Sequence, residues 1–135
     1  MSRVARAEPG RGERGSAAVE FALVLPLVLV MALALVQVGL VARDRLVLEA
    51  ASRAGAREAA VTPEDSEVAA AVAAAATGLD PAALSVAVTR TGGRGQPVTV
   101  TVGYSLPIAV PFVGWLFGDG VDLNAEATAR QEFST

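Results

Sequence analysis

Glu20 stands at the head of a long uncharged run, within RGSAAVEFALVLPLVLVMALALVQVGLVARDR, residues 14–45. Ser16 lies four residues before it, and Gly15 precedes the serine. Residues four apart share a helix face, and helical side chains lean toward the N-terminus, so this carboxylate reaches back toward Ser16. An acid beside lipid is costly unless it is wetted at headgroup depth or finds a cation. Spacing alone leaves both readings open. Other chemistry is scarce. The chain has no Cys and no His, and all eleven basic residues are Arg. Thiolates, sulfur metal ligands, imidazole bases and lysine amines are therefore all missing. No catalytic residue, metal or cofactor is expected, and an enzyme is disfavoured. A net charge of −3 also argues against nucleic acid as a partner.

The element that positions Glu20 is read as a membrane helix. From Phe21 to Ala42 there is no charge, and Gln37 is the one strongly polar side chain. A run of about 22 residues rises about 33 Å as a helix, enough for a bilayer core. Backbone groups in lipid must bond within their own segment, which requires that helix. A buried core helix is the bland alternative, but the rest of the chain is too short to cover such a run on all sides. Pro26 removes one donor and crowds the Ala22 carbonyl, so a kink is expected there. Arg3, Arg6, Arg11 and Arg14 precede the span against Glu8 and Glu13, placing the N-terminus in the cytoplasm and the remainder outside. Arg43, Arg45, Arg53 and Arg57 beyond the span weaken that asymmetry. A secretory signal is the nearest competitor, with Ala32-Leu33-Ala34 as its cleavage site. The apolar run continues past Ala34, however, and a signal has no use for Glu20.

Gly15, Ser16, Glu20 five residues after the glycine, and the unbroken apolar run together resemble the processing site of type IV pilin-like precursors. More closely, RGSAAVEFALVLPLVL is similar to the start of TadE-type pseudopilins, minor pilin-like proteins of tight-adherence (Flp-type) pilus systems. The resemblance implies that a prepilin peptidase cuts between Gly15 and Ser16 on the cytoplasmic side. It also implies that Glu20 pairs with an N-terminal amine during assembly. Loss of the leader, with four Arg and two Glu, would shift the net charge from −3 to −5. Phe21 rather than Tyr follows the glutamate, which favours a minor over a major subunit. Partners implied are the peptidase, other pilin-like subunits and membrane lipid. The implied location is the bacterial inner membrane, and the resemblance leaves open whether the protein enters a pilus, primes one or stays as a platform in the membrane.

Beyond Ala42 the helix is expected to continue to about Ala60. Arg45, Glu49, Arg53 and Arg57 would form a polar stripe opposite Val47, Ala50, Ala51 and Ala54, with Glu49 placed to pair with Arg53. Such a stripe is ordinarily a solvated face. Thr62-Pro63-Glu64-Asp65 reads as a cap with proline at the first helical position. An alanine-rich helix follows, with Val68 and Val72 on one face, and ends at Thr77-Gly78. Asp80-Pro81 breaks the chain.

Period-two alternation then marks three strands, around Leu84–Val88, Val98–Leu106 and Val121–Ala127. Their apolar faces would make a small antiparallel sheet covered by the preceding short helix. TGGRGQ lacks a phosphate-loop lysine and reads as a hairpin loop. GDGVDLN places Val121 where a calcium loop needs oxygen. Phe112, Trp115 and Phe117 in LPIAVPFVGWLFGDG either close the end of the core or form an apolar patch for membrane or subunit. The expected fold is α+β and pilin-like: a transmembrane helix extended into a stem, a short second helix and a three-stranded antiparallel sheet. The expected divisions are a leader at 1–15, a span at 16–42, a stem at 43–61 and a small domain at 62–135. Two other readings stand beside it: an uncleaved single-pass anchor presenting a binding domain, and a domain secreted after Ala34.

Overall fold

The computed structural model describes residues 11–107 and 120–134, with side chains at 15–106 and 120–134. Helix α1 runs over Arg11–Val61 and α2 over Asp65–Ala75. A 3-10 turn at Pro81–Ala83 leads into strands β1 (Leu84–Arg90), β2 (Pro97–Pro107) and β3 (Gly120–Arg130). The class is α+β, as the alternation and the apolar run predict. The chain divides into two compact units, Met1–Leu40 and Val41–Thr135, with α1 contributing to both.

In the first unit, α1 continues through Pro26 as one helix. Every large apolar side chain from Val19 to Leu40 is exposed, none by less than 41%. So much uncovered apolar surface is far beyond what a soluble monomer presents. Among the described residues this is the single helix long and apolar enough to cross a membrane.

In the second unit the strands lie in the order β1-β2-β3, both pairs antiparallel. Alternation sends Val98, Val100, Val102 and Tyr104 of β2 inward with Leu123 and Ala125 of β3, and turns Asp122, Asn124 and Glu126 outward. The cover over this sheet differs from expectation. α2 contributes Val68 and Val72, but α1 adds Leu48, Ala51, Ala56 and Ala59 to the same core. Length explains the need. Eleven helical residues rise about 16 Å, whereas an 11-residue strand runs about 36 Å. α2 cannot cover β2 alone.

The buried face of α1 is also turned from the expected one, by about one residue. Leu48, Ala51, Ser52, Gly55, Ala56 and Ala59 are buried, whereas Ala50 is exposed and Val47 and Ala54 are half-buried. The small residues Ala51, Gly55 and Ala59, four apart, let α1 approach α2 and β2 closely. The polar stripe is present, but its ion pair is Arg45 with Glu49 at 3.5 Å rather than Glu49 with Arg53.

α2 begins two residues later than Thr62-Pro63 suggests. Glu64 holds the N-cap position without a side-chain bond, and Pro63 lies outside the helix. Thr62 still secures this end from farther out: its Oγ1 accepts from the Glu64 N–H and donates to Glu67 Oε2 at 2.7 Å. The far end closes as Thr77-Gly78 predicts, with Gly78 at φ +82° and the Ala76 N–H donating to the Val72 carbonyl.

Candidate assembly and processing site

α1 begins four residues before Gly15, so the Gly15–Ser16 peptide lies one turn inside a helix. A Cβ built on Gly15 would meet nothing within 4 Å. Packing therefore does not demand glycine here. Ser16 Oγ donates to Glu20 Oε1 at 3.2 Å, and both side chains are exposed. The helical spacing thus brings together the serine and the glutamate that the sequence singles out. Phe21, 66% exposed, opens the apolar run immediately afterwards. The carboxylate sits where polar chain gives way to apolar helix.

Pro26 lies one and a half turns beyond Glu20 and cannot donate to the Ala22 carbonyl. Phe112, Trp115 and Phe117 lie outside the described residues.

Three polar arrangements in the second unit escaped the sequence reading. Asp44 is buried on the inward face of α1, four residues before Leu48, and pairs with Arg43 at 3.1 Å. The Arg43 guanidinium in turn packs over Gly78, where a Cβ would lie 2.8 Å from Nη2. The chain thereby places a cation beside the C-terminal turn of α2, the favourable end for positive charge. Arg90 ends β1 on the inner side of the sheet, pairs with Asp65 and donates to the Thr62 carbonyl. Gln131 follows β3 and is 2% exposed, and among the described residues neither amide atom is bonded to a partner. Inward phase along a strand or helix was the available signal for all three: Arg90 and Gln131 continue the alternation of β1 and β3.

The two ends of this unit are distinct. At one, the Glu132 N–H donates to the Ala60 carbonyl, tying the exit of β3 to the end of α1. At the other, the Asp80 N–H meets the Tyr104 hydroxyl and Arg43 covers Gly78. Pro107 and Gly120 pair at this second end.

Neither curated proteins nor solved structures yield a match to this chain. Residues 15–57 match the family model described as TadE-like protein. The match opens on Gly15, takes in Ser16, Glu20 and Pro26, and ends in the part of α1 that packs on the sheet. It covers less than half of the chain, and within it lies the resemblance read from the glycine, the glutamate and the apolar run. Over residues 15–57, then, this chain is similar to the family described as TadE-like protein.

Proposed function

We propose that the chain is a minor pilin-like subunit of a bacterial Tad/Flp pilus or related secretion apparatus, cut by a prepilin peptidase between Gly15 and Ser16. The observation that carries this reading is the Ser16–Glu20 contact at the head of the apolar helix. Cleavage would turn the Ser16 nitrogen into an ammonium. Glu20, one turn later and leaning back along the helix, is within reach of that new charge or of a neighbouring subunit's. It would also then lie near a helix N-terminus, which favours a carboxylate. In a low-dielectric boundary such a pair attracts far more strongly than in water, and an unpaired partner there is heavily penalised. Assembly in register follows from that penalty.

The glycine has a role in the same step. The scissile peptide is helical, so a peptidase must open the first turn of α1 to reach it. Glycine is about 1 kcal/mol less favourable than alanine inside a helix, which makes residues 11–16 easier to unwind. Pro26 would bend the span beyond Glu20.

In this reading residues 1–15 are the leader, 16–42 the span, 43–61 the stem and 62–135 the extracytoplasmic domain. The N-terminus faces the cytoplasm of a single-pass inner-membrane protein. Phe112, Trp115 and Phe117 would supply an apolar patch facing membrane or subunit. In support, their connection leaves and rejoins the sheet at Pro107 and Gly120, at the end nearest Arg43. Replacing Gly15 by tryptophan tests the processing step: the precursor should accumulate uncut when expressed with its peptidase. Unchanged release of a chain beginning at Ser16 would remove the reading's main support.

A further inference from the structure

The second unit carries opposite charge on opposite sides. On the outer side of α1, away from the sheet, Leu46, Ala50, Arg53, Arg57 and Val61 are exposed and recur at helical spacing. Among the described residues neither Arg53 nor Arg57 has an ion-pair partner. Leu46 and Val61, 66% and 56% exposed, flank the pair with apolar surface.

The sheet's outer face is its counterpart. Its helix-covered side is apolar, while the other side bears Ser85, Ala87, Thr89, Thr99, Thr101, Gly103 and Ser105 on β1 and β2. All are small. A Cβ on Gly103 would lie 2.5 Å from Ser85 Oγ and 3.2 Å from Asn124 Oδ1, so the surface stays low there. Its hydroxyls are partly spent within the face, Thr99 on Thr128 at 3.0 Å and Ser105 on Asp122 at 2.8 Å. β3 adds Asp122 and Glu126, and Glu126 stands beside Thr101 and Ala87 in the cross-strand row. The result is a flat floor with Asp122 and Glu126 along its β3 edge and Arg130 at the far end of that strand. Overall, residues 41–135 hold seven Arg and eleven acidic residues, so the Arg53–Arg57 ridge is a cationic feature on an acidic unit.

We infer that the Arg53–Arg57 ridge of one copy docks on the Asp122–Glu126 face of a second copy of this chain. Charge complementarity selects the occupant: the ridge requires a low, acidic surface, and each copy presents one on its opposite side. The two arginines are about 6 Å apart along the helix and the two acids about 13 Å apart along the strand. The long, flexible guanidinium side chains spread to cover that difference. Ala50 then rests on the low floor around Ala87 and Gly103 instead of water. Because the two surfaces differ and lie on opposite sides, the contact is heterologous, and copies add head to tail rather than closing as a dimer. This inference stands apart from the processing step, since it uses neither Ser16 nor Glu20.

The absence of Cys makes the test direct. Ala50→Cys and Thr101→Cys are placed singly in the full-length chain, in its native membrane, and the two variants are co-expressed and oxidised. The expected product is a mixed disulfide dimer at least ten times more abundant than either homodimer. With both cysteines in one chain, a ladder of oligomers should appear. Arg53→Glu with Arg57→Glu should reduce the ladder at least tenfold, as should Asp122→Arg with Glu126→Arg. Combining all four reversals should restore it, which also shows that the reversed chains fold. Absence of the mixed dimer, homodimers of equal yield, a ladder indifferent to charge reversal, or failure of the combined reversal to restore it would overturn the inference.

Discussion

Gly55 of α1 faces Val72 of α2 so closely that a Cβ on the glycine would lie 2.6 Å from the valine Cγ2. Val100 Cγ1 of β2 would be 3.0 Å away on the other side. Three elements meet at this point, and two of the contacts are with β-branched side chains, which are stiff at χ1. Gly55→Ala should therefore destabilise the second unit by about 1–3 kcal/mol, the usual cost of overpacking a core. Gly39→Ala, where a Cβ meets nothing within 4 Å, is the matched control. Denaturant titration of the full-length protein in detergent should separate the two variants clearly.

The Thr62 hydroxyl serves two groups at the start of α2, the Glu64 N–H and the Glu67 carboxylate. Thr62→Val keeps the shape and removes both bonds. The expected loss is about 1 kcal/mol, as for removal of a helix cap. Hydrogen exchange should quicken mainly in the first turn of α2, where the amides lose their anchor. Uniform protection there in the variant would show that packing, not the hydroxyl, secures this end.

Gln131 is buried, and among the described residues neither of its amide atoms has a partner. A buried polar group without a hydrogen bond costs about 1–3 kcal/mol. Gln131→Leu, similar in size, should then be neutral or stabilising, and the denaturation midpoint should hold or rise. A fall of more than about 1 kcal/mol, the net value of an ordinary hydrogen bond, would show that the amide is bonded in solution. Glu132, whose N–H reaches the Ala60 carbonyl, would be unaffected by that exchange.

Glu20→Ala separates the two halves of the proposed role of that residue. Cleavage at Gly15 should proceed, because the scissile bond and the leader are untouched. Incorporation into a pilus or assembly should fall, because the new Ser16 ammonium has no carboxylate to meet. Normal incorporation of the variant, measured in sheared surface fractions alongside wild type, would refute pairing.

Much of this molecule was legible in the chain, and the misreadings share a cause. The alternation of β2 needs only local information, since an inward valine at 98 fixes 100 and 102 by the pleat. The Ser16–Glu20 contact is similarly local, one helical turn. The inward face of α1 was misread at Ala50 because an alanine-rich helix shows little contrast between faces. Which small residues go inside was decided by β2 and α2, through Gly55. Asp44 and Gln131 were missed because a polar residue at an inward phase of a helix or strand reads as solvated. Arg45 takes Glu49 although the Glu-before-Arg order favoured Arg53, and among the described residues Arg53 has no ion-pair partner.

The most direct test of the central claim is the mass of the N-terminal peptide of the protein taken from its host membrane. A chain that begins at Ser16, lacking all four leader arginines, is the predicted result. A chain that retains Arg3, Arg6, Arg11 and Arg14 would contradict it, for Glu20 would then have no new amine to meet.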